Sequence, residues 1–132
     1  MVSENALQKT ALLIASKLGH RLFRNNVGVG WVGKSVRINT NVMVQCYPGD
    51  VIIRQARPLH AGLIEGSSDL VGFSNKGLFI AIETKEPGHH TAKDRLEKQQ
   101  NFIDQVNSVG GIAGFAENEQ DVKNILNKPC II

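Results

Sequence analysis

The sequence predicts an α/β fold, a mixed β-sheet flanked by helices with an inserted β-rich segment after the first helix. Three observations predict it. An apolar stripe at helical spacing opens the chain, β-branched runs broken by Gly, Asn and Pro follow, and a strand hairpin then leads into a helix, a strand and a helix. With 132 residues a single domain is expected, because a domain of this size buries roughly 68% of its unfolded surface.

Ser3 is placed to cap a helix from Ser3 to Leu18, with Leu7, Ala11, Ile14, Ala15 and Leu18 as its stripe and Gly19 as its stop. Glu4 falls on that stripe, either as a first-turn acid favoured by the helix dipole or as a residue facing a site. Between His20 and Ile64, short strands are expected at Val27 to Val32, Ser35 to Ile38, Val42 to Tyr47 and Val51 to Arg54. Pro48-Gly49-Asp50 is a turn signal between the last two.

Asp69 to Ser74 and Leu78 to Lys85 read as a hairpin closed by Asn75-Lys76-Gly77. A three-residue loop wants a left-handed residue last, and Gly77 supplies it. The implied register sets Phe73 against Phe79, Val71 against Ala81 and Asp69 against Glu83. Thr91 then opens a helix from Ala92 to Val109 with Leu96, Gln99, Ile103 and Val106 on one face, and Gly110-Gly111 ends it. Ile112 to Phe115 is a strand, and Asn118 caps a last helix carrying Val122, Ile125 and Leu126.

Charge is unevenly spread. Met1 to Ile64 holds eight Lys/Arg against two acids, and Glu65 to Ile132 seven against ten, for a net charge of +3. A basic half beside an acidic one suits a polyanion held over carboxylates that need a cation, and a solvated charged face is the alternative. Cys46 and Cys130 lie far apart, which indicates neither a disulfide framework nor a zinc site; both are expected to be inert, partly buried thiols. The chain has no apolar run long enough for a membrane span and no signal-peptide pattern, so a soluble, cytoplasmic protein without membrane contact is expected.

The hairpin register has a chemical consequence. Opposed residues have Cβ atoms about 5 Å apart, so Asp69 and Glu83 present two carboxylates at one spot. At an effective dielectric near 20 such a pair repels by about 3 kcal/mol. A divalent cation with a preference for hard oxygen ligands, Mg²⁺ above all, resolves the conflict. Lys85 projects from the same strand face as Glu83. A metal, two acids and an ammonium meet the needs of phosphodiester hydrolysis; a surface salt bridge between Glu83 and Lys85 is the alternative. Gln99 sits on the apolar stripe of its helix, where its amide must meet a polar group, either at the metal site or on a backbone carbonyl.

Gly66-Ser67-Ser68-Asp69, then Glu83-Thr84-Lys85, then Gln99 eleven residues before Gly110-Gly111, resemble the virus-type replication-repair nuclease domain, VRR-NUC, of the PD-(D/E)xK superfamily. The similarity extends to the opening helix with Glu4 and to Phe23-Arg24-Asn25-Asn26-Val27-Gly28. It departs at Ser68, where the superfamily's name has proline. The resemblance implies a restriction-endonuclease-like fold and metal ligation by Asp69, Glu83 and the carbonyl of Thr84. It makes Lys85, Gln99 and Glu4 their catalytic companions. It also implies Mg²⁺, with Mn²⁺ as a substitute, and a homodimer of bacterial or phage origin cutting branched DNA such as four-way junctions. Arg24, Asn26, Lys34, Arg37 and Ser68 are the candidate DNA contacts, within a basic set that adds Arg21, Arg54, Arg57 and His60. Rival readings are a catalytically silent DNA-binding module of the same fold and a monomeric flap or nicking nuclease.

Gly28-Val29-Gly30-Trp31-Val32-Gly33 matches a dinucleotide fingerprint letter for letter. Such a fingerprint opens a helix, whereas strand is expected here, so these glycines are assigned to a hairpin or to close backbone approach. His89 and His90 read as exposed loop residues.

Overall fold

The computed structural model describes residues 2–35, 39–41, 43 and 45–128, with the backbone alone for residues 34 and 35. In chain order the elements are α1 (Glu4–Lys17), β1 (Arg21–Arg24), β2 (Gly28–Ser35), β3 (Ile53–Ala61), β4 (Leu70–Phe73), β5 (Phe79–Thr84), α2 (Lys93–Ser108), β6 (Ile112–Ala116) and α3 (Glu119–Leu126). They form two compact units, Met1–Val27 with Gly62–Ile132, and Gly28–Ala61.

The larger unit is a four-stranded sheet in the order β1-β4-β5-β6. The first three strands are antiparallel and β6 is parallel to β5, which makes the sheet mixed as expected. The parallel step needs a crossover, and α2 supplies it. Side chains of β5 alternate between two helix layers. Ile80 and Ile82 join Leu7, Ala11, Ala15, Val122 and Ile125 from α1 and α3. Ala81 and Ala113 meet Ile103 and Val106 of α2 on the other face. With helices on both faces, Ile80 through Thr84 are all buried, and their near-continuous apolar text is the mark of a doubly covered strand.

Local chemistry explains most boundaries. The Ser3 side chain accepts from the Ala6 amide at 3.2 Å, and Gly19 ends α1 at φ +84°. The hairpin has the expected register, with Phe73 opposite Phe79 and Val71 opposite Ala81. Gly77 is left-handed at φ +81°, and the Ser74 amide donates to the Leu78 carbonyl at 2.8 Å. Asn118 caps α3 by accepting from the Asp121 amide. Thr91 does not cap α2: the helix begins at Lys93, so the N-cap position falls on Ala92, which has no side-chain group to bond, and the Thr91 hydroxyl accepts from Lys85.

β1 was not expected. Its text, Arg-Leu-Phe-Arg, buries only Leu22, and its pairing with β4 makes it a strand. The smaller unit is the antiparallel pair β2 and β3, with Val32 opposite Arg57 and Lys34 opposite Arg54. One residue of β2 thus faces two of β3, a bulge at which Gln55 adopts φ +53°. Gly33 sits at this bulge, where a Cβ would lie 2.8 Å from the Arg54 carbonyl oxygen. The glycine-rich segment is therefore a hairpin strand. β3 runs on to Ala61, beyond the expected Arg54, through Pro58, which a two-stranded edge tolerates. Among the described residues of the expected strand from Val42 to Tyr47, none is in a strand, and residues 36–38 lie outside the description. Pro48-Gly49 forms the expected turn, with Asp50 bonded back to Tyr47. Cys46 is exposed rather than partly buried, while Cys130 lies outside the described residues.

Gly66 positions the segment that leads into β4. It has φ +89°, and a Cβ there would lie 2.7 Å from Lys98 Cβ and 2.9 Å from the Lys98 carbonyl carbon. Gly66→Ala should therefore strain the left-handed backbone by roughly 1–2 kcal/mol and push the segment off α2 at further cost. Urea unfolding should show a loss of at least that size, and a wild-type midpoint would show that the close approach is not required.

Candidate active site

The last turn of the β5 alternation makes the site. Glu83 follows Ala81 onto the α2 face, and Thr84 follows Ile82 onto the α1 face. Both are buried, at 3% and 1% exposure. Asp69 lies one residue before β4, in continuation of the Leu70–Ile82 register, and its amide donates to Glu83 Oε2 at 3.2 Å. The Asp69 backbone thus meets the Glu83 carboxylate, and the Asp69 charge is near enough to raise the Glu83 pKa.

On the α2 face Gln99 joins the acid to the base. Its Nε2 donates to Glu83 Oε1 at 2.8 Å, and its Oε1 accepts from Lys85 Nζ at 2.6 Å. That satisfies the buried amide on a helix face that is otherwise apolar. Lys85 Nζ also donates to Thr91 Oγ1 at 3.2 Å and stands 3.5 Å from Glu83 Oε1. The Glu83–Lys85 ion pair exists, but it is an interior contact of the network and not a surface bridge.

On the α1 face Thr84 ties the other carboxylate to α1. Asp69 Oδ2 accepts from the Thr84 amide at 3.0 Å and from Thr84 Oγ1 at 2.8 Å. Gln8 Nε2 donates to Thr84 Oγ1 at 3.0 Å, and Arg24 donates to Gln8 Oε1 at 3.1 Å and to Asn5 Oδ1 at 2.9 Å. Glu4 Oε1 lies 3.4 Å from Thr84 Oγ1. A hydroxyl has one proton, and the shorter contact to Asp69 takes it. Glu4 thus faces the site through Thr84 and does not join the Asp69–Glu83 pair. Among the described residues no group of three His, Cys, Asp or Glu side chains gathers.

Asn25 holds the segment before Asp69, a role its sequence context did not announce. Its Nδ2 donates to Ser67 Oγ at 2.8 Å and to the Ser68 carbonyl at 2.9 Å, its Oδ1 accepts from the Leu63 amide, and its own amide donates to the Asp69 carbonyl. The signal for it was composition alone: an Asn beside the end of a short strand, where side-chain amides replace ladder bonds. Gln8 was equally hidden, on the polar edge of α1.

Of the remaining candidates, Arg24 and Asn26 are exposed. Lys34 is in β2 opposite Arg54, and Arg37 lies outside the described residues. Ser68 is only 1% exposed, and its Oγ has no hydrogen-bond partner among the described residues, so its hydroxyl faces the interior rather than solvent. His89 and His90 are exposed in the loop before α2, as expected.

The donors suit a hard divalent cation. Glu83 is pushed up from an ordinary 4.5 to about 7, chiefly by burial and next by the nearby Asp69 charge, against which Lys85 works only in part. An acid so placed is short of positive charge. Both bonds from Thr84 go to Asp69 Oδ2, so among the described residues its Oδ1 receives none. Two carboxylates, with a strand carbonyl beside them, make an oxygen donor set of the kind that leaves Mg²⁺ room for water and phosphate.

Residues 5–119 match the family profile described as VRR-NUC domain. No curated protein matches the chain.

The Glu83 shift has a consequence for folding in metal-free buffer. A carboxyl that binds its proton more tightly when folded favours the folded state fully below about 4.5, and this contribution is lost as pH rises through about 7. In chelator, stability should fall between about pH 5 and pH 8 by on the order of 3 kcal/mol. Glu83→Gln should flatten that slope in thermal or urea unfolding; an unchanged slope would assign it to other groups.

Proposed function

This chain belongs to the VRR-NUC family and is a nuclease of the PD-(D/E)xK type, and from that premise we propose that it is a metal-dependent endonuclease that hydrolyses DNA phosphodiesters at Asp69, Glu83 and Lys85. The observation that carries the reading is the buried Glu83 beside a half-buried Asp69, coupled through Gln99 to Lys85. Asp69, Glu83 and the carbonyl of Thr84 would hold Mg²⁺ or Mn²⁺, which when bound supplies a polarised phosphate and a water of lowered pKa. Gln99 fixes the orientation of Lys85. The ammonium steadies charge developing on the phosphate as water attacks phosphorus and the P–O bond to the leaving oxygen breaks. Thr84, Gln8 and Arg24 hold Asp69 from behind, and Glu4 adds negative potential on the same side.

Branched DNA is the proposed substrate, and a homodimer the proposed form. The smaller unit supports both. Trp31 and Val29 are 68% and 61% exposed on a two-stranded sheet, an arrangement marginal by itself and open to pairing with a second copy. Arg54, Arg57 and His60 on β3, with Lys34 opposite, carry the sign a DNA backbone requires. Two-fold symmetry would match a four-way junction with paired incisions. Among the described residues no helix is long and apolar enough to cross a membrane.

Incubation with linear, forked and four-way DNA, with and without Mg²⁺, tests the activity; absence of any divalent-dependent cutting would refute it. Glu83→Gln and Asp69→Asn should abolish cleavage, retain DNA binding and lose the thermal stabilisation that Mg²⁺ gives the wild type. Full activity in either variant would overturn the assignment. Lys85→Ala should lose about two or more orders of magnitude in rate with its fold intact, and circular dichroism separates that result from a structural role. Light scattering reports the dimer. Heterodimers of wild-type and Glu83→Gln subunits should nick one strand of a junction without resolving it, and full resolution would exclude paired sites.

A further inference from the structure

A cavity of about 380 Å³ shares Lys85 with the site, and apart from Lys85 its lining has no part in the proposed chemistry. Phe115 and Leu96 give it apolar surface, Lys85 forms one wall, and Gln100, His90 and Glu117 are among its polar lining. Phe115 is the residue of β6 paired with Glu83 of β5, and neighbouring strands lie about 5 Å apart. Lys85 Nζ stands 5.9 Å from the Phe115 ring centroid while bonded to Gln99. The cavity and the metal-ligand pair therefore share a wall, and a group in one lies within a nucleotide's reach of the other.

We propose that this cavity receives one unstacked nucleobase of the nucleotide next to the scissile phosphate. The proposal rests on the nuclease reading and deepens it. The cavity's size is at the lower end of the roughly 300–1,000 Å³ typical of small-molecule sites, and it has room for one base. An aromatic ring and a leucine present the flat apolar contact on which any base stacks. Glu86 and Glu117 lie in the same lining. Their carboxylates oppose the pull of Lys85 on a phosphate at that side of the cavity, and they accept hydrogen bonds from exocyclic amines. The Gln100 amide, bonded only to Asp104 one turn along its own helix among the described residues, is available to a base edge. Cytosine, adenine or guanine fits this lining and thymine fits it less well. Unstacking is costly in an intact duplex and cheap at a branch, a nick or a single strand. The cavity thus supplies a physical source of preference for DNA structure.

The test uses the full chain carrying Glu83→Gln, which is expected to hold DNA without cutting it, and forked DNA bearing 2-aminopurine at single positions around the cut. One position next to the cut should brighten several-fold on binding. An abasic site there should weaken binding by roughly 5- to 100-fold, the weight of one base–aromatic contact. Leu96→Trp, which fills the cavity, and Gln100→Ala, which leaves the helix surface otherwise intact, should each reduce the brightening while anisotropy still reports bound DNA. DNA that binds with no position brightening, or brightening untouched by both variants, overturns the base pocket and leaves the nuclease reading standing. If anisotropy shows no DNA bound at all, both fall.

Discussion

The pairing of Leu70 with Ile82 across β4 and β5 is the constraint from which the site follows. Side chains alternate along a strand, so a slip of one residue would turn Glu83 towards α1 and Thr84 towards α2. Three features hold the register. Gly77 closes the hairpin in a conformation that other residues adopt at a cost, the Ser74 amide meets the Leu78 carbonyl, and Leu70, Ile80 and Ile82 are fully buried on one face. With the register set, two carboxylates meet at the end of a strand covered on both sides, and the protein must manage that charge.

It does so with a separate polar network on each face of the sheet. Gln99 and Lys85 engage Glu83 from the α2 side, and Thr84, Gln8 and Arg24 engage Asp69 from the α1 side. Ile103, Val106 and Ala113 pack on the first face and Leu7, Ala11 and Val122 on the second, where the chain of bonds runs from buried Thr84 out to exposed Arg24. Low-dielectric surroundings strengthen every bond in such a network and equally raise the cost of an unmet charge. Glu83 registers that cost as a raised pKa despite its three hydrogen-bonding and ionic neighbours. A buried Glu83 left short of positive charge costs stability, and carboxyls perturbed in this way cluster at functional sites.

The approach of the chain to Asp69 is equally constrained. Asn25 bonds to Ser67, Ser68, Leu63 and Asp69, and Gly66 packs against the α2 backbone at Lys98. One end of β1 and one turn of α2 therefore fix where the first carboxylate emerges. The arrangement places Ser68 in the interior, where the superfamily's name has proline.

Sequence alone was enough for features governed by local chemistry. The caps Ser3 and Asn118, the stop at Gly19, the Asn75-Lys76-Gly77 loop and the apolar stripes each depend on a few consecutive residues. Because hairpin register is itself local, the meeting of Asp69 with Glu83 was legible too, and so was the family, whose motifs are short and ordered. Contacts between distant segments were not legible. β1 is a strand only because β4 lies beside it, and β3 passes through Pro58 only because its sheet ends there. Thr91 was expected to cap a helix and instead accepts from Lys85, and Glu4 reaches Thr84 eighty residues away. Nothing in the sequence announced the partners of Asn25 and Gln8, since an amide's partners are set by what folding brings within about 3 Å of it, and no spacing along the chain encodes that.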